Sequence, residues 1–229
     1  MASVSAVSHP LPRRLAAESV GTALLLLAVV GSGIMAQRTC SNDGLALLAN
    51  ALATAGALFA LITVFAPISG AHFNPAVSLL AAWRGELLRV EAVAYCIVQC
   101  AGALCGAMLA HALFEMPLLQ SGGAARTGFH LLLSEGVATF GLLLVIVGCS
   151  ARASERTPLA VALWIMGAYW FTSSTSFANP AVTLARACSN TFAGIQPADA
   201  PAFICAQLLA TLVAALLLPA LLGLARRQR

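Results

Sequence analysis

At 229 residues with 60% hydrophobic and 9% charged side chains, no Lys and a mean hydropathy of +0.92, the chain has too little charge to solvate a soluble domain and is read as a membrane protein. Its net charge of +4 comes from Arg residues standing singly or in pairs, not interleaved with aromatics, which argues against nucleic acid as a partner. The seven Cys (40, 96, 100, 105, 149, 188 and 205) lack metal-ligand spacing and read as small apolar packing residues, so neither metal nor cofactor is expected.

A span needs roughly 20 apolar residues. Six stretches supply them, at 15–36, 45–66, 91–114, 129–150, 158–176 and 202–224. The first follows Arg13 and Arg14 and has the outline of a signal peptide, with small residues near Met35-Ala36. Its length, and its recurrence later in the chain, make it a span. After the second stretch, Ser69-Gly70-Ala71-His72-Phe73 leads into Asn74-Pro75-Ala76-Val77; after the fifth, Ser173–Ala178 leads into Asn179-Pro180-Ala181-Val182. Asn caps helices well and Pro is favoured at the first helical position, so each phrase starts a helix where a span has just ended.

These phrases belong to a longer repeat. Glu18, Val20, Thr22, Leu25 and Gly31 recur 117 residues later as Glu135, Val137, Thr139, Leu142 and Gly148. Phe73–Leu79 recurs 105 residues later as Ala178–Leu184, and Tyr95 with Gln99 is echoed by Phe203 with Gln207. The expected organisation is one membrane domain over 1–229, made of a first half (1–115) and a second half (129–229) of three spans each. Three is odd, so the second half enters the membrane inverted. Ten residues from Asn74 to Trp83, and ten from Asn179 to Cys188, make about 15 Å of helix, half the roughly 30 Å bilayer core. The fold class is therefore an all-α membrane protein with six transmembrane helices plus two re-entrant half-helices in an inverted repeat.

Opposed half-helix N-termini would meet at the midplane. Each carries about half a positive charge, so the pair repels cations, while the Asn74 and Asn179 amides offer donors to a passing oxygen. Backbone from Gly70, Ala71, His72, Ser174 and Thr175 would line the cavity there, since non-helical backbone at that depth needs protein or water beside it. Nine Arg (13, 14, 84, 89, 152, 156, 226, 227, 229) fall on the side of the termini and three (38, 126, 186) on the other, which makes the terminal side cytoplasmic.

On these residues the chain resembles the aquaporin and aquaglyceroporin channels over essentially its whole length. The resemblance rests on Ser69–Ala76, on Asn179-Pro180-Ala181, on Glu18 and Glu135, and on Tyr95 with Gln99. It implies passive conduction through a pore in each subunit of a homotetramer in the cell (inner) membrane. Asn74, Pro75, Ala76, Asn179, Pro180 and Ala181 would form the pore midplane.

The residue after the second motif is usually an Arg in that family; here it is Val182. The other positions of the filter carry over to Thr54, to Ser176, and to either Tyr169 (counting from Pro158) or Gly167 (counting back from Asn179). Tyr169 is preferred because deletions settle in loops. A filter without a fixed cation relaxes selectivity toward glycerol, urea or neutral metalloid hydroxides such as arsenous acid, with water. A water-selective aquaporin is the alternative, and a secondary transporter a further one, which would need a coupling-ion site although no Asp lies in a span. No nucleophile is paired with a base by spacing, so no enzyme is expected.

Glu18 and Glu135 read as supports for the two loops, accepting bonds from their backbone. His72 reads as a brace of the cytoplasmic mouth, and His111 and His130 have no partner that the sequence names. Arg186, one turn beyond Val182, is the only candidate to replace the missing filter Arg, and is read in preference as a cap on the C-terminus of the second half-helix.

Overall fold

Long runs of Leu, Ala and Val leave the backbone no solvent to bond to, and a helix is the local structure that satisfies every peptide group within one segment. The computed structural model describes residues 9–224, and its regular elements in that range are helices joined by loops: α1 (Leu11–Thr39), α2 (Asp43–Ser69), α3 (Pro75–Trp83), α4 (Arg89–Leu113), α5 (Phe129–Arg152), α6 (Thr157–Phe171), α7 (Pro180–Arg186) and α8 (Ala200–Leu221). Five helices, α1, α2, α4, α5 and α8, are long and apolar enough to cross a membrane. The short α3 and α7, of 9 and 7 residues, start at the two Asn-Pro-Ala phrases.

The fifth stretch departs from its expected length. It was expected to run to residue 176, but α6 stops at Phe171 after 15 residues. Ser and Thr side chains compete with the helical backbone, and the Thr172 hydroxyl donates back to the Ala168 carbonyl at 2.5 Å before the chain turns extended. The residues after Phe171 are spent on the loop that approaches α7.

The surface is turned inside out relative to a soluble protein. Val20, Leu24, Leu52, Val64, Ile97, Leu209 and Leu216 are exposed, while Glu18, Thr22, Gln99, Glu135, Thr139 and Gln207 are fully buried. α1 and α4 approach backbone to backbone: a methyl at Gly102 or Gly106 would overlap the Ser19 and Ala23 carbonyls. Small residues four apart are what allow such a crossing in lipid. In the matching pair, α5 and α8, the corresponding α8 positions are the buried Ala210 and Ala214.

α3 packs on α4 and on α8, and α7 on α8 and on α4, so each short helix is clamped between the two halves. α1 begins and α8 ends at one face, called here the near face. Arg14 closes on Glu91 there at 2.5 Å, whereas Arg38 reaches the Phe114 carbonyl at the far face. Arg226, Arg227 and Arg229 lie outside the described residues.

Candidate functional site

Two loops meet in the middle of the bundle, and the same backbone is used twice. Gly70, Ala71 and Phe73 have φ of 91°, 50° and 48°, and their counterparts 105 residues later, Thr175, Ser176 and Ala178, have φ of 62°, 53° and 49°. For residues other than Gly this left-handed conformation costs about 1–2 kcal/mol each. Something must hold it.

The holders are two buried carboxylates. Glu18 accepts from the Ser69 hydroxyl (2.6 Å), the His72 and Phe73 backbone N–H groups (2.9 and 2.7 Å) and the Gln99 amide (2.8 Å). Glu135 accepts from the Ser174 hydroxyl (2.6 Å), the Phe177 and Ala178 N–H groups (both 2.9 Å) and the Gln207 amide (2.7 Å). Gln99 also donates to Ser78 on α3, and Gln207 to Thr183 on α7, each at 2.9 Å. A charge in a low-dielectric interior is tolerable only with its lone pairs filled, and four donors fill each of these. α1 is admitted close enough by Gly21, where a methyl would overlap the Phe73 ring.

The asparagines are oriented from both ends. The Asn74 side-chain oxygen accepts from the Ala76 N–H (2.9 Å), and that of Asn179 from Ala181 and Val182 (2.9 and 3.3 Å). Each amide nitrogen then donates to the opposite loop at 2.8 Å, Asn74 to the Ala178 carbonyl and Asn179 to the Phe73 carbonyl. An amide NH₂ has two donors. One is spent on this cross-bond, and the second remains for whatever occupies the cavity that both residues line.

That cavity, of about 1320 Å³, runs from Arg14, Glu91 and Arg152 at the near face past Gly70, Ala71, His72, Asn74 and Asn179 to Thr54, Tyr169, Ser176 and Val182. His72 bonds Ser78 at 3.1 Å and sets its ring edgewise to Tyr95. At the far end the Tyr169 hydroxyl lies 3.2 Å from that of Thr54 on the facing helix, while the buried Ser176 hydroxyl has no partner among the described residues. Two hydroxyls, from Thr54 and Tyr169, and the aliphatic side chain of Val182 thus line this end of the cavity, called here the neck, with Ser176 in its wall and the Ser176 hydroxyl turned away from it.

Several expected positions lie elsewhere. Gly167 does not line the cavity and stands against the Phe171 ring. Ser174 is fully buried behind the wall, its hydroxyl committed to Glu135. Thr175 faces a second cavity of about 630 Å³ at the far face. Pro75, Ala76, Pro180 and Ala181 are buried at the two helix starts and are absent from the cavity wall. The reason is common to all four: in the first helical turn the Pro and Ala side chains radiate into packing, and the residues that face the cavity are the Asn at the cap and the Val three positions on, Val77 and Val182. His111 has two partners, the Leu118 carbonyl and the Ser189 hydroxyl at 2.8 and 2.9 Å, and ties α4 to the loop after α7.

Of two cations at the far face, Arg126 was given no role from the sequence and Arg186 does not take the preferred one. Arg186 lines both cavities instead of capping α7. Arg126, in the loop before α5, donates to the Gly194 and Ser174 carbonyls at 3.0 and 3.1 Å and stacks on Phe177. Burial pushes the Arg126 guanidinium below its usual value, against the pull of Glu135 and Tyr169. The available signal was their location: they are Arg residues on the face that the charge asymmetry leaves poor.

Residues 5–169 match the family described as Major intrinsic protein. The chain is 52% identical, over 94% of its own length and 93% of the relative's, to Aquaglyceroporin AqpS of Rhizobium meliloti (strain 1021). It is 38% identical to Aquaporin PIP2-7 of Arabidopsis thaliana over 50% of this chain and 41% of that one. Its fold is similar to the X-ray structure of the aquaglyceroporin from Plasmodium falciparum, with a TM-score of 0.70 at 20% identity over 94% of this chain and 100% of that one.

Proposed function

The chain belongs to the major intrinsic protein family and is a membrane channel for small neutral solutes, not an enzyme; on that premise we infer that it passes hydroxylated solutes of glycerol size, with urea, neutral metalloid hydroxides such as arsenous acid and water, and excludes ions and protons. The observation that carries this reading is the composition of the neck, where Thr54 and Tyr169 supply hydroxyls and Val182 an apolar wall. A polyol has the same two sides, a row of hydroxyls and a row of CH groups. Such a neck replaces the solute's hydration on one side and asks for none on the other.

At the midplane the spare donors of Asn74 and Asn179 hand the solute's oxygens across. The two helix starts that flank them disfavour a cation there. We read the subunits as a homotetramer in the cell (inner) membrane with both termini in the cytoplasm, following the nine-to-three Arg asymmetry.

The Tyr169–Thr54 bond narrows the neck and favours a second reading, a water-selective channel. Stopped-flow light scattering on proteoliposomes separates the two. Inward gradients of glycerol, urea and arsenous acid are each expected to give reswelling well above protein-free vesicles; water flux without solute reswelling would support the second reading.

A further inference from the structure

Arg186 stands one turn past Val182, where a cation would be expected to bond the free carbonyls at the end of α7. It turns back instead. Its Nε donates to the Ala193 carbonyl, and its guanidinium lies over the Phe177 ring with the central carbon 3.4 Å from the centroid. Phe177 belongs to the same loop as Ser176, so the cation is delivered to the neck itself. The residue is 2% exposed, yet neither Nη nitrogen has a hydrogen-bond partner among the described residues. It is also the one described residue that lines both cavities.

A buried guanidinium with idle donors is costly unless something polar comes to it. The charged groups around it do not. Asp199 accepts from the Arg126 backbone N–H and from Thr127, Glu135 is filled by the α7 loop, and Asp43 sits across the outer cavity with no bond to it. Arg126 approaches Phe177 at 5.0 Å, but of the two cavities it lines only the outer one, and its Nε and Nη1 are held by the Gly194 and Ser174 carbonyls.

We propose that Arg186 is the specificity-determining cation of this neck: its free N–H donors bind the oxygens of a passing solute and its charge turns back cations. The proposal rests on the channel reading above and extends it. Because the charge comes from one turn beyond Val182 and leans on Phe177, size selectivity and charge selectivity are carried by different residues. The neck is left wide by Val182 and kept positive by Arg186.

The test compares wild type with Arg186→Lys, Arg186→Gln and Arg186→Leu in proteoliposomes, reading glycerol flux and the flux of guanidinium, a permanently charged solute of similar size. Wild type and Arg186→Lys are expected to exclude guanidinium, whereas Arg186→Gln and Arg186→Leu raise its flux roughly tenfold or more, with glycerol flux lowered but still above that of protein-free vesicles. A purely structural arginine would not sort its variants by charge. Gln and Leu variants that pass glycerol and exclude guanidinium like wild type would overturn the proposal, and a wild type without glycerol flux would overturn the channel reading instead. If the neutral variants do not assemble, phenylglyoxal labelling of the wild-type protein decides. Modification of Arg186 that glycerol slows supports the proposal; an Arg186 that resists the reagent, or reacts at the same rate with glycerol present, overturns it.

Discussion

The two asparagines show how much one side chain can be asked to do. Each caps a helix with its oxygen, ties the opposite loop with one N–H and keeps one N–H spare. Asp retains the cap but loses both donors and sets a carboxylate against the facing carbonyl, Ala178 for Asn74 and Phe73 for Asn179. Asn74→Asp or Asn179→Asp is therefore expected to cut glycerol flux at least tenfold or to admit cations, checked by paired glycerol and ion-leak assays. Val182→Arg makes the complementary prediction. It crowds a guanidinium and five donors into a neck already holding Arg186, so glycerol flux should fall far more than water flux at matched protein content. An unchanged glycerol-to-water ratio would remove Val182 from the filter.

At the scale of the elements, the loops are strained segments held by α1 and α5. Glu18→Ala or Glu135→Ala leaves left-handed backbone and several buried donors without their acceptor, a loss of at least about 3 kcal/mol. The expected outcome is a drop in folded, detergent-stable protein with solute preference unchanged in what remains, measured by size-exclusion yield and liposome flux. Gly106→Leu should also fail at assembly, because its side chain would enter the α1 backbone at Ala23. Much of this was legible in the sequence, since an inverted repeat that pairs Glu18 with Glu135 and Asn74 with Asn179 implies paired loops and paired supports. The end of α6 was less so, because apolar Phe171 and polar Thr172 differ little in a hydropathy window. For Arg186 the sequence offered two roles, a cap on α7 or a stand-in for the missing filter Arg, and did not decide between them. A long side chain's direction is set by what it finds in the fold, here Phe177 and the Ala193 carbonyl.

At the scale of the whole molecule, the short helices α3 and α7 are clamped between the halves and their loops are bonded to Glu18 and Glu135, so the described residues form a fixed path and not the alternating gates of a transporter. Such a path implies passive conduction of a neutral solute without accompanying ions. The direct test is glycerol flux into proteoliposomes under imposed potassium diffusion potentials of either sign, with an internal pH dye recording protons. Glycerol flux that is linear in its own gradient, indifferent to the potential and silent in the dye is the predicted result; flux that follows the potential, or that moves protons with glycerol, would contradict it.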